Sequence, residues 1–323
     1  MMQSLKLANE EILLSLKNKD CLTLFDYTPK QIEALVLKAY ELKQQKKEQG
    51  SLQSTLSNKG LALIFDKAST RTRISFETGM NWLGGFAMTF NQQDLQLGRG
   101  ESIGDTGATI SRYVDGIMIR ISNHQLVEQL AAAAEVPVIN GLTDLYHPCQ
   151  TLADLLTIYE HKGNWQGLKM AYVGDGNNVL HSLMHGAAAV GMDLSIATPS
   201  GYEPLASVVD EAKEWAKHTG AVLHLCHDPI EAVQDADVIY TDVWASMGQE
   251  QEKEARIKAF AGFQVDVAMM NQAKQDAIFM HCLPAYRGIE VTEEVIDGSS
   301  SVVFDQAENR LHAQNGLLVT LLA

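Results

Sequence analysis

The chain has 323 residues, 46% of them hydrophobic, and sets 40 acidic against 25 basic side chains for a net charge of −15. That length exceeds one small core and fits two domains, and the even mixing of charged and apolar residues excludes broad disorder. The acidity argues against a nucleic-acid partner, and the one cationic cluster, Lys43, Lys46 and Lys47, is diluted by glutamines and reads as a solvated helix end. An anionic substrate stays open, because local cations matter more than total charge.

The four cysteines, Cys21, Cys149, Cys226 and Cys282, form no CxxC pair, so their spacing signals neither a zinc site nor a disulfide framework. Reduced thiols fit a reducing compartment. Residues 12–14 are too short an apolar run, with acids before them, for a secretory segment, and no run approaches the ~20 residues that span a bilayer. The expectation is a soluble cytoplasmic protein without a membrane partner.

In chain order, Thr28-Pro29-Lys30-Gln31 reads as a capping box with proline at the first helical position, and Ile32, Leu35, Ala39 and Leu42 follow at helical spacing. The apolar run 61–65, a polar turn and a helical stretch around 76–82 open a βαβ unit. Residues 86–90, 116–121 and 136–139 read as further strands, each nearly all apolar as in a sheet covered on both faces. A second series, 168–173, 194–197, 221–225, 238–241 and 278–280, alternates with helices at 179–190 and 204–218. The expected fold class is α/β: two doubly wound parallel-sheet domains with an active-site cleft between them. The expected boundaries are 1–150 and 151–304, linked through a helix at 151–159.

Ser69-Thr70-Arg71-Thr72-Arg73 follows a strand and opens a helix. Exposed N–H groups, hydroxyls and two guanidinium groups at a helix N-terminus suit a phosphate. A polar helix cap with surface arginines is the plainer alternative. No GxxxxGK[ST] occurs, so this is not a Walker loop. Gly174-Asp175-Gly176-Asn177-Asn178 suggests a dinucleotide turn. However, Val179 holds the third glycine position, and the next strand ends in Ala197-Thr198-Pro199 without a ribose-binding acid, which argues against a nicotinamide dehydrogenase. Asp242, after the strand 238–241, lies where open α/β sheets bind ligands, although a helix cap is as good a reading by itself. Adjacent residues of extended chain face opposite ways, so His281 is not expected to activate Cys282.

The stretch Phe65-Asp66-Lys67-Ala68-Ser69-Thr70-Arg71-Thr72-Arg73 resembles the carbamoyl phosphate loop of aspartate and ornithine carbamoyltransferases. Gln96-Leu97-Gly98 with Glu101-Ser102, then Arg120 and His147-Pro148-Cys149-Gln150, resemble later motifs of the family in the same order, across nearly the whole chain. Asp66 stands where many members have glutamate and Gly107 where alanine is common; neither position is an expected contact. The resemblance implies carbamoyl phosphate contacts at Ser69, Thr70, Arg71, Thr72, Gln96, Arg120, His147, Gln150, Cys282, Leu283 and Arg310. Arg120 and His147 would lie near the carbonyl oxygen and Gln150 near the carbamoyl nitrogen, and Gln96 would reach a neighbouring subunit's site. Alone, His147 reads as a structural histidine before a proline, and Arg310 as a surface arginine. The Ser246-Met247-Gly248 loop is similar to the ornithine rather than the aspartate branch, implying ornithine contacts at Asn178, Asp242, Ser246 and Met247. The resemblance further implies catalytic roles for Arg120, His147, Asp242 and Cys282. It also implies a C-terminal helix, about 305–323, packed on the first domain, no metal or organic cofactor, and a homotrimer or multiple of trimers. Other acceptors such as putrescine or N-acetylornithine, and a non-catalytic relative keeping the fold, are the rivals.

Overall fold

The computed structural model describes residues 9–96, 100–245 and 252–323. The chain divides into two compact units, Met1–Leu156 with Glu308–Ala323, and Thr157–Ala307. Two helices, Pro148–Lys162 and Val303–Leu322, carry the chain from one unit into the other. No helix among the described residues is long and apolar enough to cross a membrane.

The first unit holds a parallel sheet of β1 (Gly60–Phe65), β2 (Phe86–Asn91), β3 (Gly116–Arg120) and β4 (Val138–Leu142), in the order β2-β1-β3-β4. The second holds β5 (Lys169–Val173), β6 (Asp193–Ala197), β7 (Leu223–Cys226), β8 (Val238–Thr241) and β9 (Ile278–His281), in the order β7-β6-β5-β8-β9. In both, the winding goes to one edge and then resumes on the other side of the starting strand. The direction therefore reverses between β1 and β3, and between β5 and β8. At such reversals the connecting helices diverge and leave a crevice beyond the strand C-termini.

β1, β5 and β8 are almost wholly buried, and apart from Lys169 and Thr241 at strand ends their side chains are apolar or aromatic on both faces. Residues 86–90 depart from that expectation: β2 is half-exposed along its length, with Phe86 49% exposed, because it has a strand neighbour on one side only. Residues 136–139 also shift. Pro137 has no N–H to give the ladder, so pairing begins at Val138; it shifts register past Gly141, where an added Cβ would sit 2.3 Å from Met118 Sδ, and resumes at Leu142. The Thr28 capping box forms as the sequence suggests: Thr28 N–H donates to Gln31 Oε1 (2.8 Å) and Gln31 N–H to Thr28 Oγ1 (3.3 Å).

Candidate active site

In the first unit, the helix Thr70–Trp82 starts at the β1 end of the reversal. Ser69 is extended at its N-cap and makes no capping bond with its hydroxyl. The helix dipole and first-turn amides are therefore not satisfied by that side chain. The two arginines of the motif part company. Arg71 is half-buried, whereas Arg73 Nε donates to Glu77 Oε1 (2.9 Å) on the exposed face. One guanidinium of the expected pair is thus spent on an i,i+4 surface bridge.

The buried Thr72 hydroxyl is a meeting point. It accepts from Arg120 Nη1, at the end of β3, and from Arg310 Nη2, in the helix Val303–Leu322, each at 3.1 Å. Arg310 Nη1 donates to Gln150 Oε1 (2.9 Å), and Gln150 Nε2 donates to Asp154 Oδ1 (2.8 Å) one helical turn on. Residues 72, 120, 150 and 310, far apart in sequence, therefore form one network. Arg310 is 2% exposed, which replaces the surface-arginine alternative with a buried cation held in a fixed fork. His147 is buried at the start of the helix Pro148–Lys162. Burial, and then the charges of Arg310, Arg120 and Arg71, hold its imidazole well below the ordinary value of 6.5. It is neutral at pH 7, able to donate one hydrogen bond without adding a charge.

Asp66 has a structural use that the sequence did not suggest: its Oδ2 accepts from Ser122 N–H (3.0 Å), and its own N–H donates to the Arg120 carbonyl (3.1 Å). It ties the turn after β1 to the end of β3. Gly107 is explained as well, since a Cβ there would lie 2.8 Å from the Leu130 carbonyl oxygen. Ser69 is half-buried and Thr70 exposed. Gln96 is exposed, its carbonyl accepting from Glu101 N–H (3.3 Å), and no described bond joins it to the Thr72 network.

The second unit gathers its residues at the β5–β8 reversal. Asp242, 4% exposed, accepts from Cys282 Sγ on Oδ1 (3.0 Å) and from Asn177 Nδ2 on Oδ2 (2.8 Å). Both donors are neutral, and among the described residues no cation pairs with Asp242. It caps no described helix; Asn177 does that work for Asn178–Val190, its Oδ1 accepting from Val179 and Leu180 N–H. The Gly174–Asn178 turn is explained by close packing: a Cβ on Gly176 would lie 2.4 Å from the backbone of Glu203 and Pro204. Asp175 pairs with Arg256 Nη1 (2.9 Å), and the same nitrogen donates to the Trp244 carbonyl (2.8 Å). Burial raises the Asp175 carboxyl to about 6 despite Arg256.

His281 does not hydrogen-bond to Cys282. Its Nδ1 accepts from Leu283 N–H (2.9 Å) and its Nε2 donates to Glu290 Oε1 (3.2 Å), both side chains fully buried. This bond helps hold Leu283 at φ 57°, a region unusual for a branched residue. Asn178 is half-buried at the start of its helix, and Ser246 and Met247 lie outside the described residues. Asn177, Asp154, Arg256 and Glu290 escaped the sequence reading. Only Asn177 carried a local signal, an asparagine directly before a helical apolar run.

Comparison with known proteins gives one family model for each part of the chain, the second of which runs on into the C-terminal helix that the structure packs with the first unit. Residues 19–160 match the family model for the aspartate/ornithine carbamoyltransferase carbamoyl-P binding domain, and residues 166–321 match that for the Asp/Orn binding domain. The ornithine carbamoyltransferase of Anoxybacillus flavithermus is 59% identical over 97% of this chain and 100% of that protein. That of Bacillus subtilis is 56% identical over 95% of each. The solved structure of ornithine carbamoyltransferase from Pyrococcus furiosus superposes with a TM-score of 0.92 at 54% identity, covering 95% of this chain and 98% of that one. Matched by both domain models and by relatives of more than half identity over nearly its whole length, the chain belongs to the aspartate/ornithine carbamoyltransferase family.

Proposed function

We propose that this chain transfers the carbamoyl group of carbamoyl phosphate to the side-chain amine of L-ornithine, giving L-citrulline and phosphate. The observation that carries the ornithine assignment is Asp242: a buried carboxylate whose described donors are neutral suits a cationic acceptor and would repel the second carboxylate of aspartate. In this reading Ser69, Thr70, Arg71 and Thr72 hold the phosphate, helped by Arg310 and by the Gln96 that a neighbouring copy of the chain extends into the site. Arg120 and neutral His147 face the carbonyl oxygen. Gln150 and the carbonyls of Cys282 and Leu283 take the carbamoyl NH2, and Asn178, Ser246 and Met247 hold the amino acid end.

The ammonium of ornithine must lose a proton before it can attack, since such amines are protonated at pH 7. Cys282 already gives its hydrogen to Asp242 Oδ1, so the thiol orients the carboxylate and Asp242 is the group of the two left to take the proton. The amine lone pair then forms the C–N bond while the carbonyl π electrons move to oxygen. Arg120, His147 and the Thr72 hydroxyl stabilise that oxyanion as its charge develops. Collapse restores the carbonyl and expels phosphate with the C–O bonding pair. We further propose that the enzyme works in the cytoplasm as a homotrimer or multiple of trimers, in arginine metabolism, on the strength of the family resemblance.

The direct test is citrulline formation by the purified chain with both substrates, against putrescine and N-acetylornithine as acceptors. Preference for either rival would overturn the assignment. Arg71→Ala should lose carbamoyl phosphate binding while retaining its circular dichroism; normal turnover in that variant would remove Arg71 from the site.

A further inference from the structure

Cys226 lies outside the transfer chemistry, yet its surroundings are those of a ligand set. It ends β7, the edge strand of the second sheet, three strands away from β8 and Asp242. Alternate residues of a strand share a face, so His224 and Cys226 project together. The chain then turns into the helix Pro229–Val233, which Asp228 caps by accepting from Ile230 N–H (2.9 Å). That turn brings Glu231 back over the same face, its Oε1 2.9 Å from His224 Nε2. An imidazole nitrogen, a thiol sulfur and a carboxylate oxygen thereby lie within 4.8 Å of one another. No CxxC or comparable spacing announces this; the strand supplies two donors and the helix the third.

Nitrogen, sulfur and oxygen donors together suit a borderline-soft divalent ion. Bond lengths of about 2.0–2.3 Å in a tetrahedron put donors roughly 3.3–3.8 Å apart. The three donor atoms lie within 4.8 Å of one another, with His224 Nε2 and Glu231 Oε1 at 2.9 Å, so closing on an ion asks for shifts of about an ångström or less per donor. The His224 and Glu231 side chains are half exposed, at 47% and 55%, which leaves a fourth position open to water. His224 and Glu231 also line a surface depression of about 690 Å³ with Asp228 and Asp235. A cation approaching this face meets three carboxylates against the single ammonium of Lys169.

We propose that His224, Cys226 and Glu231 form a binding site for a zinc-class divalent metal ion, separate from the transfer site, which fastens the edge strand β7 to the helix that follows it. On binding, the Cys226 S–H bond breaks, its proton goes to solvent, and the sulfur lone pair forms the bond to the ion. The ion gives up waters, and one proton is released per thiolate formed.

The test uses Co2+ as a spectroscopic stand-in for Zn2+ on the full chain. Asp242, His281 and Cys282 also lie within 4.8 Å of one another, so the titration is run in a Cys282→Ser background. Cys21 and Cys149 are buried. The expected result is one Co2+ per chain, a thiolate-to-cobalt absorbance band, and displacement by Zn2+. Cys226→Ser should abolish the band, and His224→Ala and Glu231→Gln should each weaken binding at least ~10-fold, with circular dichroism unchanged. Absence of the band, its persistence with Cys226→Ser, or unaltered affinity in both other variants would overturn the proposal.

Discussion

Replacing Thr72 by valine keeps the shape of a fully buried side chain and removes its only polar atom. In the structure that oxygen accepts from Arg120 and Arg310, each at 3.1 Å. Arg310 is 2% exposed, so water does not take the place of the Thr72 oxygen, and losing this one of its bonds costs about 1.5–3 kcal/mol, the worth of a bond to a charged donor. Arg120 is half-buried and can rehydrate, which limits its share to about 1 kcal/mol. Thr72→Val should therefore cost about 2.5–4 kcal/mol of stability, a large part of the ~5–15 kcal/mol that a domain has. Thr72→Ser keeps the oxygen and loses a methyl, for about 1 kcal/mol. Urea unfolding without substrates reads both as shifts of midpoint at constant slope. Inorganic phosphate should restore more stability to the valine variant than to the parent, because an anion supplies the missing acceptor. A valine variant within ~0.5 kcal/mol of the parent, or equal losses for serine and valine, would refute the claim that this hydroxyl organises the two arginines.

Arg310→Met should raise the titration of His147, read by its imidazole NMR signals, yet leave it below 6.5, since burial is the larger cause and Arg310 the next. The folded value lies below the unfolded one, so the stability tied to this group is complete above about pH 6.5 and is lost as pH falls from there to the folded value. That loss should be smaller in the variant; an unmoved His147 would break the link. Gly176→Ala should destabilise the chain by about 1–3 kcal/mol in thermal unfolding, because the new Cβ would press on the backbone of Glu203 and Pro204 at 2.4 Å. A neutral effect would show that this turn yields. Arg256→Met removes the tie between Asp175 and the Trp244 carbonyl, so the KM for ornithine should rise several-fold while that for carbamoyl phosphate holds. Equal changes in both would count against a role confined to the acceptor side.

Much of the architecture was legible because it is written locally. Buried parallel strands are short apolar runs, and the Thr28 box closes within four residues, so both show in the sequence order itself. The end of β1 and the start of the next helix were likewise visible at Ser69–Thr72. What was misread depended on neighbours. Residues 86–90 look as apolar as a central strand, and only the strand order reveals an edge. Arg71 and Arg73 are alike in sequence, and only the helix face separates the half-buried one from the one bridged to Glu77.

The sequence by itself determined the class of fold, the sites of its helix starts and the lineage, since these depend on periodicity, capping and ordered motifs within short spans. The tertiary structure alone decided which side chains meet: Thr72 with Arg120 and Arg310, Asp242 with Asn177 and Cys282, His224 with Glu231. The physical reason is that a hydrogen bond or a ligand set has no memory of chain separation. It forms wherever the winding of a parallel sheet delivers complementary atoms to one strand end, and no local pattern encodes that delivery.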